Sequence, residues 1–141
     1  MENIRFAFAL NHAGLFNNQH FGEADKFAIY QNNQGKLDFW QDLPNQFKVS
    51  TPLHGSTEKG NGIVSLLKEN GISILVSQQF GRNIKMVSQH FIPVIISGEN
   101  PVQVADILAK NIKWLKDELE NRKSNFMLFK INTGILKLAV K

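Results

Sequence analysis

The first third of the chain shows strand-like hydrophobic patterning. Residues 4–10 alternate large apolar side chains with small or charged ones, which predicts a strand with one well-buried face. Residues 26–30 and 37–40 predict two further strands, because they flank a polar turn sequence that ends in Gly35. Residues 41–62 contain two prolines and three glycines, so they predict a long loop.

Helical spacing replaces this alternation from residue 62 onward. A short helix is predicted from residue 62 to a glycine stop at Gly71. The nearly continuous apolar run 72–77 and the run 92–96 predict buried strands, and a second short helix opens between them at Gly81. A strand–helix–strand unit of this kind predicts parallel pairing of its two strands.

The last third predicts one long helix and a hairpin. Asn100 followed by Pro101 is typical of a helix start, and an apolar stripe over residues 105–119 predicts one helix. Residues 126–140 predict two apolar strands around an Asn-Thr-Gly turn. Such a ribbon is too apolar to remain exposed on both faces, so it should dock on the domain or complete a homodimer with a second copy.

Composition limits the class of protein. The chain has 141 residues, a net charge of +4 and no cysteine. Without cysteine it forms no disulfide, no thiolate metal site and no iron–sulfur cluster on its own thiolates. Its apolar runs are far shorter than the roughly 20 residues of a membrane helix, and the N-terminus lacks the pattern of a secretory signal. We therefore expect a cytoplasmic protein without membrane contact.

The positive charge is concentrated in the second half. Residues 1–70 hold 6 Lys or Arg against 7 Asp or Glu, whereas residues 71–141 hold 10 against 5. This excess is typical of a solvated helix face, and the alternative is a surface that attracts an anion or an acidic partner. Neither an RNA-binding aromatic pattern nor a zinc-finger spacing occurs, so no nucleic-acid partner is expected.

Histidines on loops are the first candidates for a binding site. His12 and His20 lie on the loop after the first strand, and His54 lies on the long loop, where ligand groups gather in α/β proteins. A surface or hydrogen-bonded imidazole is the alternative for each of the three. His90 lies at a predicted helix end before a buried strand, which favours a structural role.

Two glycine-containing turns add candidates for anion binding. His54 and Gly55 begin one of them, and Gly81 with Arg82 forms the other, each ahead of a predicted helix. An ordinary turn is the alternative for both. The chain has no G-x-S-x-G motif, and residues 4–10 carry no carboxylate of the kind a two-metal nuclease needs. We therefore expect no enzymatic activity.

Residues 19–30, Gln-His-Phe-Gly-Glu-Ala-Asp-Lys-Phe-Ala-Ile-Tyr, resemble a family signature. The family is that of dinitrogenase iron–molybdenum cofactor biosynthesis proteins, which carry an H-F-G-x-A-x-x-F-x-I-Y-like segment after the first strand. The His54-Gly55 loop, the two buried strands and the Phe80-Gly81-Arg82 turn follow in the family's order, so the resemblance extends over residues 4–119. The chain departs from the family in two respects. Its glycine-rich loop has no cysteine, and its C-terminal hairpin lies outside the family core.

The resemblance implies a fold and a function. The implied fold is a ribonuclease-H-like, three-layer α/β domain whose mixed sheet is flanked by helices, spanning residues 1–122 and extended by the hairpin at 123–141. The implied function is non-catalytic binding, storage or delivery of an iron–sulfur-based, iron–molybdenum cofactor-like cluster, as an accessory of nitrogen fixation with cluster donor and acceptor proteins as partners. The alternative is a regulatory or interaction domain that binds a small anion or a partner protein.

The resemblance also implies the site. Its principal cluster ligand is His20, with His54 and His12 as secondary metal ligands. The residues expected to bind the cofactor are His20, Phe21, Gly22, His54, Gly55, Gly81 and Arg82. If His20 is a ligand, its ring should be exposed beside a concavity while the adjacent Phe21 is buried.

Overall fold

A computed structural model describes residues 4–16, 20–47, 57–131 and 134–140, with the side chains of 57–59 left undescribed. Within these ranges the chain forms seven strands and four α-helices. The strands are β1 (Arg5–Leu10), β2 (Lys26–Asn33), β3 (Lys36–Pro44), β4 (Ile72–Ser77), β5 (Ile92–Ile95), β6 (Leu128–Ile131) and β7 (Ile135–Leu138). The helices are α1 (Thr57–Glu69), α2 (Ile84–His90), α3 (Pro101–Lys110) and α4 (Ile112–Asn121), and short 3₁₀ turns cover Phe21–Glu23 and Gly81–Asn83.

The strands form one mixed sheet in the order β3-β2-β1-β4-β5-β6-β7. Strands β1, β4, β5 and β6 are parallel, whereas β2, β3 and β7 pair antiparallel with their neighbours. Helices α3 and α4 pack on one face and α1 and α2 on the other, each over its own hydrophobic core. The predicted three-layer α/β architecture is confirmed, and the ribonuclease-H-like assignment stays a prediction.

Strand β1 lies at the centre of both cores. Phe6 and Phe8 point to the layer of α3 and α4, while Ala7 and Ala9 point to the layer of α1 and α2. The small alanines let α1 and its neighbours approach the sheet closely. The prediction of a single buried face was therefore too narrow, because both faces of β1 are covered.

The predicted loop over residues 41–62 is wrong at both ends. Strand β3 continues to Pro44, and α1 already begins at Thr57. Gly60 and Gly62 lie inside α1, where a Cβ on Gly60 would lie 2.7 Å from Met86 Cε and a Cβ on Gly62 would overlap the ring of Phe47. These glycines permit close packing of the helix.

The predicted single helix over 105–119 is divided in two. Asn111 leaves the helical conformation at φ −113° and ψ 22°, and its Nδ2 donates to the Ile107 carbonyl at 2.8 Å, which caps α3. The predicted start is confirmed by a reciprocal cap. The Asn100 side chain accepts from the Gln103 N–H at 2.9 Å, and the Gln103 side chain accepts from the Asn100 N–H at 2.9 Å.

The C-terminal hairpin docks on the domain, as expected. Strand β6 pairs with β5, and Phe129 and Ile131 on β6 are fully buried. Glu118 on α4 is also buried, and it links α4 to the hairpin. Its carboxylate accepts a hydrogen bond from the backbone N–H of Met127 at 2.8 Å and pairs with Lys137 on β7 at 2.8 Å. The predicted turn residues 132–133 lie outside the described residues, and the homodimer stays a prediction. No helix in the described part of the chain is long and apolar enough to cross a membrane.

Candidate functional site

The backbone of His20 is attached to the loop that follows β4. His20 forms a single-residue parallel bridge with Gln79, and the Phe21 N–H donates to the Gln79 carbonyl at 2.9 Å. Because β1 and β4 are adjacent parallel strands, the loops that leave their carboxyl ends meet at one edge of the sheet. His20 thus lies at the edge where α/β proteins gather ligand-binding groups.

The side chain of His20 lies directly over Gly81. Gly81 has a φ of +62°, and a Cβ built on it would lie 2.7 Å from His20 Cε1, 2.8 Å from Nδ1 and 3.1 Å from Nε2. Glycine therefore suits this position, because a Cβ would be strained at this φ and would require the imidazole ring to move. The imidazole is nevertheless exposed to solvent, as expected for a ligand-binding histidine.

Buried aromatic residues hold the two loops together. Phe21 and Phe80 are each 2% exposed, and their ring centroids lie 5.7 Å apart. Phe21 follows His20 and Phe80 precedes Gly81 in the sequence, so the contact between the two phenylalanines holds His20 next to Gly81. The expectation that Phe21 is buried is confirmed.

Asn45 supports the same loop and escaped the sequence analysis. Its buried side chain donates to the carbonyls of Gly22 at 3.1 Å and Ala24 at 2.8 Å, and its own N–H donates to the Asp25 carbonyl at 3.1 Å. These bonds fix the 3₁₀ turn that contains Gly22. An asparagine directly after a strand end is common enough in turns that its sequence carries no distinguishing signal.

Arg82 and a cavity complete this edge of the molecule. Arg82 is exposed, and among the described residues no carboxylate forms an ion pair with it. A cavity of about 360 Å³ opens beside Gly81, and His20 itself does not line it. Its lining residues are Phe80, Gly81, Ile84, Ile95, Leu128, Ala139 and Val140.

The other histidines have different surroundings. His12 lies beside Asp25. The ring Nε2 of His12 is 3.6 Å from Asp25 Oδ1, and the backbone N–H of His12 donates to Asp25 Oδ2 at 2.8 Å. His90 ends α2, and its carbonyl accepts from Lys68 Nζ at 2.8 Å. His54 lies outside the described residues, as does Gly55, so their predicted roles stay predictions.

The described side chains include no group of three or more His, Asp or Glu arranged to hold a metal ion. What the structure brings together is His20, Phe21, Gly22, Gly81 and Arg82, which are five of the seven residues predicted to bind the cofactor. Their arrangement offers one exposed imidazole, a neighbouring cleft and one cation that pairs with no carboxylate in the described part of the chain.

The fold and this site define an α/β protein that presents a histidine-bearing loop at the carboxyl edge of its parallel strands. The chain belongs to the dinitrogenase iron–molybdenum cofactor family, whose model matches residues 2–113. This match confirms the resemblance carried by residues 19–30. It ends within α4, so the hairpin lies beyond the matched region. No curated protein matches the chain.

Proposed function

We propose that the protein carries an iron–sulfur-based cluster, of the iron–molybdenum cofactor type, as cargo bound at His20. Family membership relates the chain to this cofactor, and the carrier role is the step beyond it. The observation that supports the proposal most is the exposed imidazole of His20, whose backbone is fixed by Gln79 and whose ring lies on Gly81.

The chemistry of His20 suits a preassembled cluster. Imidazole nitrogen is a good ligand for iron and related transition metals. One protein donor is enough for cargo that already has most of its ligands, whereas a bare zinc-like ion takes three or four. A single, reversible bond also suits delivery, because the acceptor has only one protein–metal bond to displace.

The charge around His20 suits an anionic cargo. Iron–sulfur clusters respond to the charges around them, and the exposed guanidinium of Arg82, which pairs with no carboxylate of the described residues, would stabilise a negative cluster. Two other cations of the basic half are paired: Lys110 binds Asp106 at 3.0 Å, and Arg122 binds Glu118 at 2.9 Å. The cation that this proposal uses is Arg82, because it directly follows Gly81.

The carrier role needs no acid, base or nucleophile from this chain. The residues of the site hold cargo: His20 donates an electron pair to the metal, Arg82 balances charge, and Phe21 and Phe80 keep the two loops in register. The proposed partners are proteins that donate the cluster and proteins that accept it, and the proposed compartment is the cytoplasm.

The test is an anaerobic titration of the protein with isolated iron–molybdenum cofactor, followed by visible absorbance and electron paramagnetic resonance. We expect saturable uptake that His20→Ala weakens at least about tenfold, since one metal–ligand bond is lost. His90→Ala is the matched control, because it removes a histidine at the end of α2, and it should bind like the native protein.

Two outcomes would contradict the carrier proposal. One is no uptake by the native protein, and the other is uptake that is unchanged in His20→Ala. A parallel titration with inorganic phosphate distinguishes the alternative: phosphate binding that depends on Arg82 but not on His20 would favour a small-anion-binding regulatory domain.

A further inference from the structure

The hairpin leaves an apolar sheet face beside α2. Alternation along β6 and β7 places Phe129 and Lys137 on the face of α4, so their neighbours point to the opposite face. The latter residues, called here the hairpin face, are Leu128, Lys130, Leu136 and Leu138. Leu136 is 51% and Leu138 42% exposed, although both are large apolar side chains on a short strand. Exposed leucines at the edge of a sheet are a feature of interaction sites.

Two cavities continue the hairpin face toward α2. The cavity of about 360 Å³ beside Gly81 shares Ala139 and Val140 with a second cavity of about 280 Å³. The second cavity is also lined by Lys85 and Gln89 of α2. Leu128 of the hairpin face lines the first cavity, so the hairpin face adjoins the two cavities. We call the three together the α2–hairpin groove.

The charged residues of the α2–hairpin groove are cationic. Lys85 lines the second cavity. Lys130 lies between Ile95 and Leu136, its register partners on the neighbouring strands, so its charge is surrounded by apolar residues of the sheet. Arg82 follows Gly81 at the other end. Among the described residues, no carboxylate lines either cavity, and none forms an ion pair with Arg82, Lys85 or Lys130. The groove thus combines an apolar floor with unpaired positive charge.

We propose that the α2–hairpin groove docks an extended, acidic segment of a partner protein in which apolar side chains alternate with Asp or Glu. The apolar side chains would cover Leu136 and Leu138 and enter the cavities, and the carboxylates would meet Lys85 and Lys130. A second copy fits less well, because it would oppose like charges across the same face. A nucleic-acid backbone would meet the lysines but leave the leucines uncovered.

Strand addition is the mode of binding that the topology favours. Strand β7 is the last strand of the sheet, and no strand of the described ranges pairs with its outer edge, so this edge offers backbone groups to another chain. The groove adjoins Gly81, which means that a docked partner would lie next to His20. The proposal does not depend on the cargo, because the groove is defined by residues other than His20 and can be tested without any cluster.

The experiment measures binding of three fluorescent peptides by anisotropy. In the first peptide Asp and Leu alternate, in the second Lys replaces Asp, and in the third Ser replaces Leu. We expect the Asp-Leu peptide to bind most tightly and to shift the backbone amide signals of Leu128 and of residues 135–140 in nitrogen-15 spectra. We expect Lys130→Glu to weaken binding at least about threefold, since it replaces attraction by repulsion at a partly exposed site. Lys113→Glu on α4 makes the same charge change on the opposite layer and should have no effect.

Four results would overturn the proposal. The first is equal binding of the three peptides, and the second is amide shifts confined to other parts of the molecule. The third is a dimer in sedimentation equilibrium that Leu138→Ser converts to monomer, which would assign the groove to a second copy. Tighter binding of a single-stranded DNA oligonucleotide than of the Asp-Leu peptide would likewise exclude a protein partner. Far-UV circular dichroism of each variant confirms that the fold is retained.

Discussion

Replacing Gly81 by alanine tests whether the glycine positions His20. Gly81 has a φ of +62°, where an L-residue costs roughly 1–2 kcal/mol. On a domain of this size that cost corresponds to a fall in melting temperature of about 3–8 °C. The added Cβ would also lie 2.7 Å from His20 Cε1, and ordinary contact begins at 3.4 Å, so the ring must move by about 0.7 Å or more.

The displacement of His20 should reduce cargo binding beyond the effect on stability. We expect Gly81→Ala to bind isolated iron–molybdenum cofactor at least about tenfold more weakly, because the imidazole no longer lies where the fold holds it. The assay combines thermal unfolding, cofactor titration and the Cε1–H resonance of His20 in proton spectra. That resonance is assigned by its loss in His20→Ala.

Gly35→Ala is the matched control for backbone strain. Gly35 has a φ of +87° in the β2–β3 turn, and a Cβ there would meet nothing within 4 Å. It should lose stability similarly but bind cofactor like the native protein. If Gly81→Ala and Gly35→Ala have the same cofactor affinity, and the His20 resonance is unmoved in both, the positioning role of Gly81 is refuted.

Three further predictions concern the hairpin and the single tyrosine. Glu118→Gln should lower the free energy of unfolding in urea by about 1–3 kcal/mol, since it weakens a buried carboxylate network whose cations are partly exposed. Deleting residues 125–141 should lower it further, because each fully buried large apolar side chain such as Phe129 contributes roughly 1.5–3 kcal/mol. Burial, and secondarily the negative charge of Asp42, raises the pKa of Tyr30 above its ordinary value of 10.0. The midpoint of the phenolate absorbance titration should therefore lie above pH 10.0.

Each of these predictions has its own control and contradiction. For Glu118 the control is Asp106→Asn, which breaks an exposed pair worth at most about 1 kcal/mol, and an equal effect of both variants would contradict the buried network. An unchanged melting temperature after the deletion would show that the hairpin is dispensable. The raised pKa of Tyr30 means that its stabilising contribution is complete below pH 10.0 and is lost as the pH rises through the folded-state value. A phenolate midpoint at or below 10 would contradict this, and Tyr30→Phe removes the signal entirely because the chain has one tyrosine.

The sequence pattern predicted the elements that depend on residues close to one another in the chain. The run 72–77 is mostly apolar because β4 lies between two helical layers, and the structure places its apolar side chains in the cores on both faces. The start of α3 was predictable because its first turn leaves N–H groups without helical partners. The Asn100 side chain accepts from one of these groups, and Pro101 has no N–H to leave unpaired. The motif over residues 19–30 likewise pointed to the family, which its model match confirms, and to the loop that carries the candidate site.

What was missed depends on contacts between distant residues. Gly60 indicated a loop by composition, yet it lies in α1, where a Cβ would come within 2.7 Å of Met86 Cε. Only the packed structure shows that neighbour. The contact between His20 and Gly81 depends on the parallel alignment of β1 and β4, which sets loops far apart in sequence side by side. Asn45 was invisible for the same reason, since its bonds reach back to the carbonyls around Gly22.

The most direct test of the account is whether a nitrogen atom of His20 coordinates the cargo. The protein is labelled with nitrogen-15 histidine, loaded anaerobically with isolated iron–molybdenum cofactor and measured by pulsed electron paramagnetic resonance. The account predicts a nitrogen-15 hyperfine coupling to the bound cluster that persists in His90→Ala and disappears in His20→Ala. A loaded cluster without histidine coupling, or a coupling that survives in His20→Ala, would contradict the assignment of His20 as the cluster ligand.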